Sequence, residues 1–143
     1  MKNKHLPFQI GEQYEKWEFD LEVICKERIP MYDSYLYIGE VKKFLNISPQ
    51  KTELIFHWDV LEIVILTFID LEDNTRQDLN RKLKLSNKIS SSQDHLKCSY
   101  SEYKSGSLRY CVISQLPNKT IIIYGSSHII HPVSLNVLDE IQQ

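Results

Sequence analysis

Val60-Leu61-Glu62-Ile63-Val64-Ile65-Leu66-Thr67-Phe68-Ile69 is a nearly unbroken run of β-branched, aliphatic and aromatic side chains. A strand that buries one face alternates apolar and polar residues, whereas a strand covered on both faces does not. The run therefore predicts a strand packed from both sides. Ile121-Ile122-Ile123-Tyr124 has the same character near the other end of the chain.

Upstream, Glu53 to Trp58 forms another extended segment, with Asp59 as a turn or bulge before the central run. Further back, Lys16-Trp17-Glu18-Phe19-Asp20-Leu21-Glu22-Val23-Ile24-Cys25 alternates apolar and acidic residues. Successive side chains of a strand point to opposite faces. This spacing predicts a strand from about Tyr14 to Lys26. Trp17, Phe19, Leu21, Val23 and Cys25 would face the interior, and Glu18, Asp20 and Glu22 the outside. Ile29 to Ile38 returns as the second arm of a hairpin and ends at Gly39, while Val41 to Ile47 fits either a helical turn or a strand.

Downstream, Asp73-Asn74-Thr75 offers N-cap chemistry before a short amphipathic helix over Arg76 to Leu85. Asn87 to Asp94, with three consecutive serines, reads as a mobile loop. Leu96 to Lys104 and Ser107 to Leu116 form a hairpin about Ser105-Gly106, followed by a strand over Lys119 to Tyr124. Pro132 opens a final helix over Val133 to Ile141. The order is four strands, a helix, three strands and a helix, without strand–helix–strand alternation. The expected architecture is one α+β domain over residues 1–143: a curved, mainly antiparallel sheet of about seven strands with two packed helices.

Composition supports a globular chain with a β tendency. At 143 residues, 42% hydrophobic and 25% charged, the chain can bury ~70% of its unfolded surface. Alanine, the best helix former, is absent, and lysine outnumbers arginine thirteen to four, the look of an AT-rich gene. The opening residues lack the apolar core of a signal peptide. The run Ile63 to Ile69 falls far short of the roughly 20 residues a membrane helix needs. A cytoplasmic protein without membrane contact is expected. Cys25, Cys98 and Cys111 are odd in number and have no short paired spacing, which predicts buried free thiols in a reducing compartment.

No pattern points to catalysis. The chain lacks a Gly-x-Ser-x-Gly elbow, a phosphate-binding glycine loop and a dinucleotide fingerprint, and it has only four glycines. The expectation is a non-enzyme without cofactor. His128 and His131 stand three apart, but Pro132 follows and no further ligands have suitable spacing, so no metal site is expected. Tyr32, Tyr35, Tyr37, Tyr100, Tyr103, Tyr110 and Tyr124 could stack on bases or serve core and interface. The net charge of −2 speaks against nucleic acid. Residues 1–70 carry 12 acids against 8 bases. Within that half, Glu18, Asp20 and Glu22 either cover the solvent side of the strand or, together with Glu15, form a surface that steers a basic partner.

Gly11 to Glu22, followed by Tyr35-Leu36-Tyr37-Ile38-Gly39-Glu40, resembles the opening of small bacterial immunity proteins. Such proteins accompany secreted polymorphic or contact-dependent growth inhibition toxins. The resemblance covers about the first 60 residues and rests on size, acidic tilt and style. It implies a cytosolic protein that binds one toxin domain tightly, nuclease-like in the leading reading, and blocks its active site. The element order is also similar to the Whirly-type arrangement, a repeated four-strand-plus-helix unit that binds single-stranded DNA, although the second unit is one strand short here. Two other readings stand beside immunity: a single-stranded nucleic-acid-binding sheet, and a secretion or assembly chaperone. Monomer and dimer both remain open.

Overall fold

In chain order the strands are β1 (Leu21–Val23), β2 (Asp33–Tyr37), β3 (Lys51–His57), β4 (Val60–Ile69), β5 (Asn87–Asp94), β6 (Cys98–Ser105), β7 (Leu108–Gln115) and β8 (Lys119–Ser126). The helices are α1 (Asp73–Leu83) and α2 (Ile130–Ile141). These come from a computed structural model that describes residues 6–24, 27–83, 87–94, 98–115 and 118–141. The strands form one open antiparallel sheet in the order β1-β2-β3-β4-β8-β7-β6-β5. Register shifts at Ile55/Phe56 and Lys88/Ser90 bend it. The class is α+β, a curved antiparallel sheet with two helices.

The central strands are covered on both sides, as their continuous apolar sequence requires. Leu54, Val64, Leu66, Phe68, Tyr110, Val112, Ile122 and Tyr124 face one layer, into which Phe8, Phe44 and α1 residue Leu79 also pack. Ile55, Ile63, Ile65, Cys111, Ile113, Ile121 and Ile123 face the other, under Ile130, Val133 and Val137 of α2. Within a strand these memberships alternate residue by residue, so β4 and β8 form the seam of a three-layer core. The halves share their element order but set their helices on opposite faces.

Four expectations change. The alternating stretch is not one long strand: two 3-10 turns, Tyr14–Lys16 and Glu18–Asp20, precede the three-residue β1. Trp17 and Leu21 pack on the core, whereas Phe19 is 91% exposed and Val23 71%. Period-two alternation requires a neighbouring strand along its whole length, and β2 reaches only Leu21 to Val23. Cys25 lies outside the described residues.

The serine-rich stretch read as a loop is β5, paired along its length with β6. A polar edge strand is held by its backbone ladder and needs no apolar signature. It makes the sheet eight-stranded and completes the second four-strand unit. Val41 to Ile47 is neither helix nor strand but a tight turn. Phe44 and Ile47 exchange backbone hydrogen bonds at 2.9 Å, with Leu45 and Asn46 at positive φ between them. The final helix starts at Ile130 and so includes His131.

Candidate partner-binding surface

The β3–β4 connection is two residues long, Trp58-Asp59, between the paired residues His57 and Val60. A two-residue hairpin loop favours left-handed backbone at both positions, which is why Asn-Gly is its usual sequence. Here Trp58 has φ +51° and Asp59 φ +64°. Left-handed conformation costs a bulky L-residue roughly 1–2 kcal/mol. The tryptophan placed there is 79% exposed, so little packing offsets that cost.

The turn is nevertheless rigidly placed. Tyr14 N–H donates to the Asp59 carbonyl at 2.7 Å, Gly11 N–H to Leu61 O and Leu61 N–H to Glu12 O, both at 2.9 Å. The segment before the first 3-10 turn therefore runs alongside the hairpin. On the other side, His57 stacks on Tyr32 with ring centroids 4.5 Å apart and meets the Trp58 ring edge-on at 6.1 Å. Met31 precedes Tyr32, also with positive φ (+78°) and 73% exposed.

Arg28 fixes the loop that carries Met31 and Tyr32. Its guanidinium donates to both Glu53 carboxylate oxygens, Nη2 to Oε1 at 3.2 Å and Nε to Oε2. It also donates from Nη1 to Asn136 Oδ1 and Glu140 Oε2, each at 2.9 Å, and from Nη2 to Glu140 Oε1 at 3.3 Å. The Arg28 side chain is 10% exposed and that of Glu53 only 3%. A buried guanidinium with this many acceptors ties the loop to β3 and α2 at once.

Carboxylates ring the aromatic corner. Tyr35 has its hydroxyl pKa raised by burial, then by Tyr14 and by the charges of Asp33 and Asp59. Tyr32 is raised by burial and by Glu62. Glu15 follows Tyr14 in the first 3-10 turn and so belongs to this end of the sheet. Of the four acids expected to steer a partner, only Glu15 sits here. Glu18 and Asp20 lie in the second 3-10 turn and Glu22 in β1. Asp20 is at the opposite end of β1: a Cβ on Gly39 would meet its Cγ at 2.7 Å and the Tyr37 hydroxyl at 2.6 Å. The expected row of Glu18, Asp20 and Glu22 therefore does not share one strand face.

The other residues weighed in the sequence have mostly structural places. Tyr103, Tyr110 and Tyr124 are buried, and Tyr35 and Tyr37 pack against the same layer. Tyr100 donates to Glu102 at 2.5 Å beneath α2. His131 Nδ1 lies 3.9 Å from Glu102 Oε1. Among the described residues no group of three or more His, Cys, Asp or Glu is placed to hold a metal. Cys98 and Cys111 are buried free thiols, and burial pushes Cys111 up to about 12. The Trp58 turn escaped the sequence reading. Its signal was the two-residue gap between two apolar runs, filled by a residue unsuited to the turn.

No family model matches the chain, and no curated protein matches it. Among solved structures, a GTP binding regulator from Thermotoga maritima is similar at TM-score 0.47 and 11% identity, over 87% of this chain and 84% of that one. A likeness of that degree carries no weight for fold or function here. Among the described residues no helix is long and apolar enough to cross a membrane.

Proposed function

We propose that this chain is a protein-binding inhibitor, an immunity protein that neutralises a cognate secreted toxin by sitting over its active site. The observation that carries a protein partner is Trp58, exposed at a left-handed turn whose backbone is held by hydrogen bonds to residues 11–14. An unfavourable conformation held in place by its surroundings points to function. Tryptophan is also among the residues that most often dominate binding energy at interfaces. Met31 and the Tyr32–His57 stack extend the anchor. Glu15, Asp33, Asp59 and Glu62 supply a negative field that steers a basic, nuclease-like domain. The toxin system, and with it a cytoplasmic site of action, rests on the resemblance of residues 11–40 to immunity proteins. The proposed role is stoichiometric binding, without a reaction of its own.

The test is co-expression with the product of the neighbouring gene. The proposal expects protection of the cell, a one-to-one complex on size exclusion with light scattering, and loss of both in Trp58→Ala. Absence of capture and of protection overturns it. Retention of single-stranded oligonucleotide at low salt without toxin capture overturns it in favour of the nucleic-acid reading.

A further inference from the structure

β1 is the terminal strand of the sheet, and its register shows what its free edge offers. Ile24 N–H donates to Ser34 O at 3.2 Å, and Ile38 N–H donates to Asp20 O at 2.8 Å. Even-numbered residues thus turn their backbone toward β2. Leu21 and Val23, opposite Tyr37 and Tyr35, occupy the positions between these bonds and turn their N–H and C=O groups outward. None of the described residues meets these outward groups.

Natural edges are blunted by lysine, proline or a covering segment. Residues 19–24, Phe-Asp-Leu-Glu-Val-Ile, contain neither lysine nor proline, and Phe19 and Val23 are left in solvent. On the face away from Leu21 the edge borders a cleft of ≈ 320 Å³ between the sheet and α2, whose walls carry Glu27, Glu53, Asp139 and Glu140 against Lys51 and Arg28, the arginine being already paired with Glu53 and Glu140. Glu22 projects to this same side, since Leu21 packs on the opposite layer.

We infer that β1 accepts an additional antiparallel strand from the protein partner, a segment of apolar–basic–apolar pattern. Its apolar side chains lie beside Leu21 and Val23. The basic side chain between them lies beside Glu22 and reaches over the cleft toward Glu27 and Asp139. Backbone bonds to Leu21 and Val23 supply the pairing, and the acidic face supplies the choice of sequence. This deepens the protein-binding reading and rests on it, but it concerns a different edge from the Trp58 corner.

The first probe is an acetylated, amidated heptapeptide of alternating valine and lysine. Two controls accompany it: the same peptide with alternate backbone nitrogens methylated, and a valine–glutamate version. The expected result is protection of the Leu21 and Val23 amides from hydrogen exchange by the lysine peptide. Both controls should bind at least about tenfold more weakly, one lost edge interaction being worth that factor. Equal binding of the methylated peptide, or protection confined to other residues, overturns the inference. Val23→Pro removes one outward donor and leaves the β1–β2 bonds in place. It should abolish peptide binding and weaken a cognate toxin complex at least about tenfold. A toxin complex unaffected by Val23→Pro but lost in Trp58→Ala overturns the edge inference and leaves the protein-binding reading standing.

Discussion

The hydroxyl of Tyr124, in the middle of the sheet, accepts from the Phe8 N–H at 3.2 Å and donates to the Phe8 carbonyl at 2.7 Å. One phenol thereby satisfies both backbone groups of a residue 116 positions away. Phe8 itself is fully buried, with its ring against Trp17 at 4.9 Å and Tyr37 at 5.0 Å. The strap formed by the first described residues is thus fastened to the last strand.

Tyr124→Phe keeps the ring and strands both Phe8 backbone groups without partners. Each such buried group costs about 1–3 kcal/mol. The expected outcome is a fall in the urea midpoint with an unchanged slope, and a melting temperature lower by several degrees.

Trp58→Gly should separate stability from binding. Glycine takes positive φ without strain, so folding is expected to gain about 1 kcal/mol. Affinity for the partner should fall by about 2 kcal/mol or more, roughly thirtyfold, as for a central aromatic anchor. Calorimetric unfolding and titration of the same sample check both halves. A stabilised variant with unimpaired binding would show the turn to be mere strain.

Arg28→Ala leaves Glu53 buried and unpaired, which is expected to cost about 3–5 kcal/mol. Arg28→Met with Glu53→Leu should recover most of that loss. Glu140→Gln should cost well under 1 kcal/mol, because that carboxylate is largely exposed. Denaturant titration of the three variants tests the ranking.

Alkaline pH should unfold the protein. Burial pushes the Cys111 thiol from 9.0 up to about 12. It also holds the Tyr100, Tyr110 and Tyr124 hydroxyls above 10.0, with Glu102 assisting at Tyr100. The native state then keeps protons that the unfolded chain releases. Stability is fully present below about pH 9 and is lost as pH rises from there through about 12. Urea midpoints taken between about pH 8 and 11 should fall steadily, and a midpoint that holds or rises would contradict this linkage. Cys111 should resist thiol reagents near neutral pH until the chain unfolds.

The legible parts of the fold were those where burial writes itself into side-chain type. Val60 to Ile69 is apolar on both faces because both faces are covered, and the class followed from it. Residues 16–25 misled because Trp17 and Leu21, one helical turn apart, also fall on alternate positions. The pattern alone could not tell a strand from two 3-10 turns and a short edge. β5 was hidden for the opposite reason: its backbone ladder leaves no mark on composition. The same limit applies to the candidate surface. Glu15 is legible by its charge, whereas the exposed left-handed turn at Trp58 appears only once both flanking strands are placed.

The strand order has a kinetic consequence. Every pairing in the sheet except β4 with β8 joins strands adjacent along the chain. These hairpins close over short loops and can form within microseconds. The β4–β8 seam instead joins residues 60–69 to 119–126, across a loop of roughly 50 residues whose closure entropy comes due before any contact rewards it. Docking of Phe8 under Tyr124 closes an even larger loop. The rate-limiting step of folding is therefore expected to be the meeting of two preformed meanders. Substitutions at Ile65 or Ile123, paired across the seam, should slow folding, whereas those in the outer hairpins should mainly hasten unfolding.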